Sequence, residues 1–302
     1  MKVLIIGYGS IGKRHYEVLS NFSGIESIDI VTKQNIDDKT TYKSIQEIKN
    51  ISQYSYFVIA SQTNKHYEQL KYLDMHVKAK TIFCEKPLFE KKQELKILNN
   101  EVYIGYVLRF HPLLQKLKSF LQDERVINVN IKCGQYLPTW RPNTDYRDSY
   151  SAKRSEGGGV LLDLSHEIDY VQWLFGKIEN IKSYQLKVSD LEIDSDDLTM
   201  FIGKTEKNSI VNLSIDYISK ITHRKVMVDS RESSYELDFI LNKLIRKDKS
   251  GLEEVYSFTN LERNFMFEQM HKSVLGNKEN ISTYDEALNV METINTIQGQ
   301  NL

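Results

Sequence analysis

The sequence is poor in cysteine, and it contains neither an internal repeat nor a low-complexity segment. Only two of its 302 residues are cysteines, Cys84 and Cys133, and they show no CxxC spacing. Each lies in an apolar, strand-like stretch, so we expect buried free thiols rather than a disulfide or a metal site. This cysteine usage is typical of a reducing compartment and predicts a cytoplasmic protein.

Long apolar runs and an excess of one charge are also missing. No stretch reaches the roughly 18 apolar residues that a membrane-spanning helix needs. The apolar run at residues 3–6 is followed by glycines, where a signal peptide would continue for roughly 7 to 15 apolar residues. Lys and Arg number 40 against 41 Asp and Glu, a net charge of −1. Proteins that bind nucleic acid or anionic membranes usually carry a basic excess, so we expect neither partner.

The chain length predicts two domains, since one domain usually takes roughly 100 to 200 residues. We place the boundary at residue 118, which gives domains 1–118 and 119–302. In the first, short β-rich runs alternate with helix-like segments, the pattern of a doubly wound α/β domain with a parallel sheet. The predicted strands are 3–6, 28–31, 56–60, 81–84 and 102–106, and the predicted helices are 12–21, 65–73 and 90–98.

The second domain has a different pattern of longer alternating runs, which follows a bridging helix at 111–121. Alternation with short polar turns predicts a large open sheet with mainly antiparallel pairing, in an α+β domain. The predicted strands are 127–137, 178–188, 198–202, 210–218, 225–228 and 235–240, and the predicted helices are 160–175, 263–275 and 285–297.

A glycine motif, GYGSIG, directly follows the first apolar run and opens a helical stretch. The first glycine allows a tight turn, the second lets a pyrophosphate approach the backbone, and the third permits close packing of helix on sheet. The N–H groups at the start of the helix then favour phosphate. The alternative is an ordinary glycine-rich turn. We expect dinucleotide contacts from Gly7, Gly9, Ser10, Ile11 and Gly12.

Thr32 and Lys33 lie about 20 residues beyond the last glycine, where an NAD site usually places an acidic side chain on the ribose 2′-hydroxyl. A hydroxyl followed by a cation does not repel a 2′-phosphate and can bond it. These two residues therefore favour NADP(H) over NAD(H), unless Lys33 is only a solvated surface charge. Asp29 lies within the second strand, and we expect it to point elsewhere.

Polar residues follow the third strand, at the edge where an open α/β sheet presents ligand sites. We expect Ser61, Thr63, Asn64 and His66 to contact the cofactor. Two alternatives stay open: Asn64 is the N-cap of a helix that starts at Lys65, or His66 is an exposed first-turn residue.

The fourth strand runs directly into Glu85, Lys86 and Pro87. This places Glu85 and Lys86 beside the cofactor, and Lys86 where a cation can polarise a substrate oxygen or exchange a proton. Pro87 restricts the backbone there and is a candidate for a cis peptide bond. The alternative is that Lys86 is a surface charge in a loop.

A triple glycine at 157–159 precedes the predicted helix 160–175. At 100° per residue, one face of a continuous helix would carry Asp163, His166, Glu167 and Tyr170. A histidine between carboxylates can move a proton near neutral pH. Asp163 and His166 are therefore candidate catalytic residues.

A loop at 140–154 precedes the triple glycine and combines aromatic residues with arginines. Aromatic faces stack on sugar rings and arginine binds carboxylate or phosphate, so the loop predicts an acidic or nucleotide-linked sugar substrate. The alternative is a packed surface loop whose arginines pair with Asp145 and Asp148. The candidate substrate residues are Arg109, Trp140, Arg141, Tyr146, Arg147 and Tyr150.

Five motifs, in order, resemble those of the Gfo/Idh/MocA oxidoreductases, the group of glucose-fructose oxidoreductase and inositol dehydrogenase. They are GYGSIGKRH at 7–15, ASQTNKH at 60–66, CEKP at 84–87, GYVLRFHP at 105–112 and GGGVLLDLSHEID at 157–169. The resemblance implies an N-terminal Rossmann domain and a C-terminal domain whose open sheet carries substrate contacts and an oligomer surface, hence a homodimer or homotetramer.

The resemblance also implies NAD(P)-dependent oxidation or reduction of a sugar hydroxyl or carbonyl, with Lys86, Asp163 and His166 in catalytic positions. The family commonly has three residues between its Asp and His, whereas two separate Asp163 from His166. The residues that follow His166 keep the family register, so His166 is the better match. The loop and the LSHEIDY segment further resemble members associated with bacterial surface-sugar biosynthesis.

We therefore expect hydride transfer between NADP(H) and a sugar carbon, with Lys86 holding the oxygen, His166 moving its proton and Asp163 assisting. This requires the Lys86 amine and the His166 imidazole to act on one substrate. Two alternatives remain: an NAD-dependent glycosidase, whose members usually lack the lysine, and a dinucleotide-binding regulator without turnover.

Overall fold

The computed structural model describes residues 1–142, 144–258 and 261–300. Its chain divides into two compact units, Met1–Phe110 with Glu262–Leu288, and His111–Leu261 with Asn289–Leu302. The first change of unit comes before the expected boundary at residue 118. The second was not expected: a late segment returns to the first unit, because it adds a strand to that unit's sheet and a helix to its core.

Fifteen strands are present within the described residues. They are β1 (Lys2–Ile6), β2 (Ser27–Val31), β3 (Thr41–Tyr42), β4 (Tyr56–Ile59), β5 (Thr81–Cys84), β6 (Glu101–Ile104), β7 (Val126–Gly134), β8 (Ile178–Leu186), β9 (Leu198–Thr205), β10 (Ile210–Asp216), β11 (His223–Ser230), β12 (Ser233–Asp238), β13 (Lys243–Asp248), β14 (Glu253–Ser257) and β15 (Ser282–Thr283).

Seven α-helices accompany them in the same described ranges, together with short 3₁₀ turns. The helices are α1 (Ser10–Leu19), α2 (His66–His76), α3 (Pro112–Phe120), α4 (Val160–Asp163), α5 (His166–Phe175), α6 (Phe265–Leu275) and α7 (Tyr284–Gly299). None of them has the length and apolar character needed to span a membrane.

The first unit contains a parallel sheet of order β3-β2-β1-β4-β5-β6, to which β15 adds an antiparallel edge strand. This is the doubly wound order whose crevice lies where the strand order reverses, at β1 and β4. The central strands β1, β4 and β5 are almost wholly buried, and α1 and α6 pack on the sheet around Phe83 and Phe267. The predicted fold class is confirmed for this unit.

The predicted helix at 90–98 is wrong, because this segment forms neither a helix nor a strand. Side chains from other parts of the first unit bond some of its backbone groups. The Asp74 carboxylate accepts the N–H groups of Leu98 (2.9 Å) and Asn99 (3.0 Å), and the Tyr284 hydroxyl donates to a carbonyl of the segment (2.8 Å). Tertiary partners therefore override a short amphipathic pattern.

The second unit contains an eight-stranded sheet of order β14-β13-β12-β11-β7-β10-β9-β8. Only β7 and β10 pair in parallel, so the expectation of a large, mainly antiparallel sheet is confirmed. One face is buried and the other is open, as in β9, where Phe201 is buried and Met200 and Ile202 are exposed. The sequence analysis missed β13 and β14, whose residues are mostly charged and carry a weak apolar signal.

The predicted helix 160–175 is two helices, α4 and α5, because Leu164 leaves the helical conformation (φ −99°, ψ 26°). The expected single face of four polar residues is therefore wrong. The carboxylates of Asp163 and Glu167 bond residues of different strands, Tyr217 directly after β10 and Arg224 in β11. Asp163 in α4 and Glu167 in α5 thus bond different partners on either side of the break in the helix.

Both cysteines are free and buried, as expected. Cys84 ends β5 in the first unit, and Cys133 lies in β7 of the second. Burial raises the pKa of both thiols, which keeps them protonated and unreactive.

Candidate active site

The turn after β1 has no room for side chains at its first and third glycines. Gly7 lies at φ +99°, and a Cβ there would lie 2.6 Å from the carbonyl oxygen of Ala60. A Cβ on Gly12 would lie 2.1 Å from the carbonyl oxygen of Gly7. Both glycines are therefore required by the fold itself, the first for the turn and the third for packing of α1 on the sheet.

The second glycine is open. A Cβ on Gly9 would meet no atom within 4 Å. Gly9 is the N-cap of α1, which has no side-chain cap and no acidic residue in its first turn, and Ser10 and Ile11 are exposed there. An open backbone surface at an uncapped helix N-terminus fits the pyrophosphate of a dinucleotide.

The loop after β2 carries cations rather than a carboxylate at the expected ribose position. Thr32 is buried, and its hydroxyl accepts the backbone N–H two residues on (3.1 Å). Lys33 is exposed, and its carbonyl accepts from the Lys43 ammonium (3.3 Å). Asp29 points elsewhere, as expected, since its carboxylate accepts from Tyr54 (2.5 Å).

The residues after β4 divide into exposed and buried ones. Asn64 is exposed and Thr63 half-buried in a 3₁₀ turn, and Asn64 does not cap α2. His66 is only 1% exposed, so it is not an exposed first-turn residue. Its ring nitrogens face the carbonyls of Pro87 (3.1 Å) and Ser61 (3.2 Å), and burial lowers its pKa. His66 therefore ties this turn to the loop after β5.

Glu85 and Lys86 emerge at the same sheet edge as the glycine turn. In the parallel register, Ile6 lies opposite Ile59, and Ile59 lies opposite Cys84, so the residues that follow these three are brought together. Lys86 is half-buried, and its peptide bond to Pro87 is cis. The carboxyl edge of the sheet thus combines the glycine turn with a lysine amine.

In the second unit, Asp163 is a buried carboxylate held by two tyrosines. It is 5% exposed, accepts from the Tyr217 hydroxyl (2.5 Å) and bonds the Tyr150 hydroxyl. Burial and the Asp163 charge raise the pKa of both tyrosines, which therefore stay protonated. Trp140 packs edge-on against Tyr217 (5.2 Å between ring centroids), and the Arg141 guanidinium lies 5.1 Å from the Tyr150 ring centroid. Asp163 thereby holds Tyr150 of the predicted substrate loop, and Trp140 and Arg141 of the same loop lie against the two tyrosines.

Two of the three candidate arginines are neutralised by carboxylates. Arg147 pairs with Asp145 (2.6 Å) and Glu192 (3.2 Å), in agreement with part of the alternative reading of the loop. Arg109 is 1% exposed in the first unit and pairs with Glu286 (3.1 Å).

Arg141 differs, since it has no carboxylate within ion-pair distance in the described part of the chain. It lines a small open recess with Leu137, Trp140, Thr144, Tyr146 and Ser149. Asn143 of this loop lies outside the described residues.

His166 is half-buried at the first position of α5. The next residue, Glu167, is fully buried and binds Arg224 through two parallel hydrogen bonds (2.6 and 2.9 Å). Glu167 is thus committed to an ion pair on the sheet. The buried hydroxyl of Tyr170, one turn on, has no hydrogen-bond partner among the described residues.

Sequence reasoning missed several residues that hold these groups. Tyr217 directly follows β10 and Arg224 lies in β11, and no local pattern links them to Asp163 and Glu167. His15 lies in the motif at 7–15 but received no role, although its ring contacts Glu85 (2.9 Å). His271 in α6 contacts His15 (2.8 Å), and a lone helical histidine gives no signal of this.

The open side of Gly9 gives a test of the dinucleotide site. We expect Gly9→Ala to leave the free energy of unfolding within about 0.5 kcal/mol of wild type, because its backbone (φ −75°) and surroundings accept a methyl group. Dinucleotide affinity should fall about tenfold or more, since the methyl group occupies the approach to the backbone.

Gly12→Ala is the matched control. It should lose about 1 to 3 kcal/mol of stability through overpacking against Gly7. Urea denaturation and fluorescence titration with NAD(P)H measure both quantities, and wild-type affinity in Gly9→Ala would show that no pyrophosphate lies over this residue.

Two family models match the chain. Residues 1–102 match the oxidoreductase family with an NAD-binding Rossmann fold, and residues 115–236 match the GFO/IDH/MocA C-terminal domain. A curated relative, an uncharacterized oxidoreductase of Synechocystis sp., is 26% identical over 199 residues, which cover 60% of this chain. The match spans about half of that relative, 53% of its length.

Solved structures with little sequence identity share the fold. A super-repressor mutant of Gal80p from Saccharomyces cerevisiae has a TM-score of 0.82 at 15% identity, covering 100% of this chain and 95% of that one. The WlbA dehydrogenase from Bordetella pertussis, in complex with NADH and UDP-GlcNAcA, has a TM-score of 0.80 at 13% identity, covering 99% and 95%. With matches in both halves of the sequence, the chain belongs to the Gfo/Idh/MocA oxidoreductase family, and its N-terminal part is an NAD-binding Rossmann fold.

Proposed function

We propose that this protein transfers a hydride between a nicotinamide dinucleotide and a sugar carbon that bears a hydroxyl or carbonyl oxygen. The observation that carries the proposal is the shared sheet edge, where β1 leads into the open glycine turn and β5 leads into Lys86. A dinucleotide on this turn would lie beside a lysine amine, the arrangement that polarisation of a reacting oxygen requires.

Residues of this chain stabilise the substrate oxygen and move its proton. Held at the glycine turn, a nicotinamide dinucleotide would supply the hydride acceptor for oxidation of the carbinol carbon and the hydride donor for the reverse reaction. The Lys86 ammonium donates a hydrogen bond to the substrate oxygen and stabilises its developing negative charge. His166 takes up the hydroxyl proton during oxidation and returns it during reduction. Asp163, bonded by Tyr150 and Tyr217, keeps the loop in place.

We propose an anionic sugar substrate, either an acidic sugar or a nucleotide-linked one. Arg141 supports this, because its guanidinium lies in an open recess beside Trp140 without a neutralising carboxylate in the described residues. An aromatic face and an unneutralised arginine suit a sugar ring with an attached carboxylate or phosphate. The complex of WlbA dehydrogenase with UDP-GlcNAcA on the same fold is consistent with this class.

We further propose a homodimer or homotetramer formed through the open face of the large sheet. The exposed Tyr184, Met200 and Ile202 make one end of this face apolar, which favours association. Sedimentation velocity gives the mass, and a monomer at micromolar concentration would overturn this.

Lys86→Ala tests the reaction. We expect kcat to fall by about 10³-fold because the substrate oxygen loses its cationic partner. Dinucleotide affinity should change little, since the glycine turn remains intact. The matched control is Lys91→Ala, which removes an exposed lysine nearby in the chain.

The assay follows NAD(P)H absorbance with a panel of sugar acids and nucleotide sugars, alongside release of a chromophore from aryl glycosides. Wild-type turnover in Lys86→Ala would remove Lys86 from the mechanism. Dinucleotide binding without any turnover by the wild type would instead favour the regulator, and chromophore release would favour the glycosidase.

Arg141→Ala tests the substrate class. We expect KM for an anionic sugar to rise about 10- to 100-fold, the effect of losing one charge-assisted hydrogen bond. KM for a neutral sugar should stay unchanged. Arg154→Ala removes an exposed arginine of the same loop as a control. An equal effect on neutral and anionic sugars would contradict the proposed role.

We propose NADP(H) as the preferred dinucleotide, because Lys33 lies in the loop after β2, Lys43 contacts its carbonyl from the position directly after β3, and Asp29 is held by Tyr54. Lys33→Ala should weaken NADPH binding about 3- to 10-fold and leave NADH unchanged, because only NADPH carries the 2′-phosphate. Lys49→Ala, at another exposed lysine, is the control. Fluorescence titration decides, and tighter binding of NADH by the wild type would overturn this preference.

A further inference from the structure

Four side chains of the first unit form one hydrogen-bonded string, which we call the histidine string. The hydroxyl of Tyr56 in β4 lies 2.8 Å from Nδ1 of His271 in α6. Nε2 of His271 lies 2.8 Å from Nδ1 of His15 in α1. Nε2 of His15 lies 2.9 Å from Oε1 of Glu85, which directly follows β5. The string therefore joins β4, α6 and α1 to Glu85, the residue that precedes Lys86.

Three members of the string are sealed from water. Tyr56, His271 and His15 are all 0% exposed, and the rings of Phe83 and Phe267 pack against His15 with centroids 5.1 and 5.4 Å away. A buried polar atom that loses its partner here cannot turn to solvent, which costs more than an exposed hydrogen bond contributes. Each bond of the string consequently depends on the next.

Burial also keeps His271 and Tyr56 uncharged. It lowers the pKa of His271 well below its ordinary value, and the neighbouring His15 lowers it further. Burial, with a smaller contribution from Glu85, raises the pKa of the Tyr56 hydroxyl well above its ordinary value. His271 is thus a neutral ring with one donor and one acceptor nitrogen, and Tyr56 keeps its proton.

With neutral rings and an ionised Glu85, one arrangement of protons satisfies every bond. The Tyr56 hydroxyl donates to Nδ1 of His271, so the proton of His271 is on Nε2 and is donated to Nδ1 of His15. The proton of His15 is then on Nε2 and is donated to the Glu85 carboxylate, an acceptor when ionised. Each group thus donates to the next one, from Tyr56 in the core to Glu85 at the sheet edge.

The other side of Glu85 holds the backbone of Lys86. Oε2 accepts the Lys86 N–H (3.2 Å), while Oε1 accepts from His15. The carboxylate packs close to Gly105, where an added Cβ would lie 2.9 Å from Oε1 and 2.8 Å from the Phe83 ring. Arg14, His66 and Cys84 are further titratable groups within electrostatic range of Glu85.

We propose that the histidine string is a positioning device for Lys86: Tyr56, His271 and His15 fix the orientation of the Glu85 carboxylate, and Glu85 fixes the backbone from which the Lys86 amine projects. His15 and His271 are then positioning residues that contact neither substrate nor cofactor. What Lys86 does at this edge rests on the proposed function, whereas its fixed backbone does not.

The proton arrangement can be tested in the unmodified full chain. Histidine ¹⁵N chemical shifts distinguish the two neutral tautomers and the charged ring. We expect His15 and His271 both to carry their proton on Nε2 at pH 7.5, with assignment by His15→Gln and His271→Gln. A charged ring, or a proton on Nδ1 of either residue, would overturn the proposed order.

Tyr56→Phe removes the first donor of the string without changing the Glu85 or Lys86 side chain itself. We expect hydrogen exchange at the Lys86 amide to become about tenfold faster, because His271 loses its partner and the string loosens. kcat should fall about tenfold through misplacement of the amine, with dinucleotide affinity and KM nearly unchanged.

Tyr235→Phe is the matched control. Tyr235 is also buried, and its hydroxyl bonds Glu124 in the second unit, outside the string. Equal amide exchange in Tyr56→Phe and wild type would overturn the proposal, as would equal effects of the two substitutions. If the wild type turns over no sugar, the proposed function fails, and amide exchange still decides the role of the string.

Discussion

Parallel pairing of β1 with β4 and of β4 with β5 is the constraint on which the first unit depends. Parallel strands end at one edge, and the register sets Ile6, Ile59 and Cys84 in a row, so the segments that follow them meet without any special contact. This is why a glycine turn, a polar turn and a lysine far apart in sequence lie at one edge. Because Gly9 carries no side chain and has no neighbouring atom on its open side, the backbone of the turn is accessible to a dinucleotide.

Buried polar groups decide which of the neighbouring side chains remain available. A carboxylate removed from water must be bonded, and here Asp163 is bonded by tyrosines, Glu167 by Arg224 and Glu85 by His15. The same requirement commits Arg109 to an ion pair. Which side chains can bind a ligand therefore depends on their hydrogen-bond and ion-pair partners as much as on their residue type. Arg141 differs in this respect from Arg109 and Arg147, which were equally good candidates in the sequence.

Strong periodic patterns predicted their elements well, whereas short or polar ones did not. The buried strands of the first unit and the alternating strands β7 to β12 were found within a few residues, because burial on one or both faces leaves a clear apolar pattern. The helix expected at 90–98 is absent since Asp74 bonds the backbone instead. β13 and β14 were missed because charged residues cover much of these strands at the sheet edge.

The sequence by itself determined the two architectures, the glycine turn and the family, because these depend on local spacing and on periodicity along the chain. It also named Lys86, Asp163 and His166 as candidates. Only the tertiary structure decided which groups are bonded to which: that Tyr150 and Tyr217 hold Asp163, that His15 and His271 join Tyr56 to Glu85, and that Arg141 stays unneutralised within the described residues. Such pairings join residues far apart in sequence through buried hydrogen bonds, and their partners leave no pattern in the chain that a single sequence can reveal.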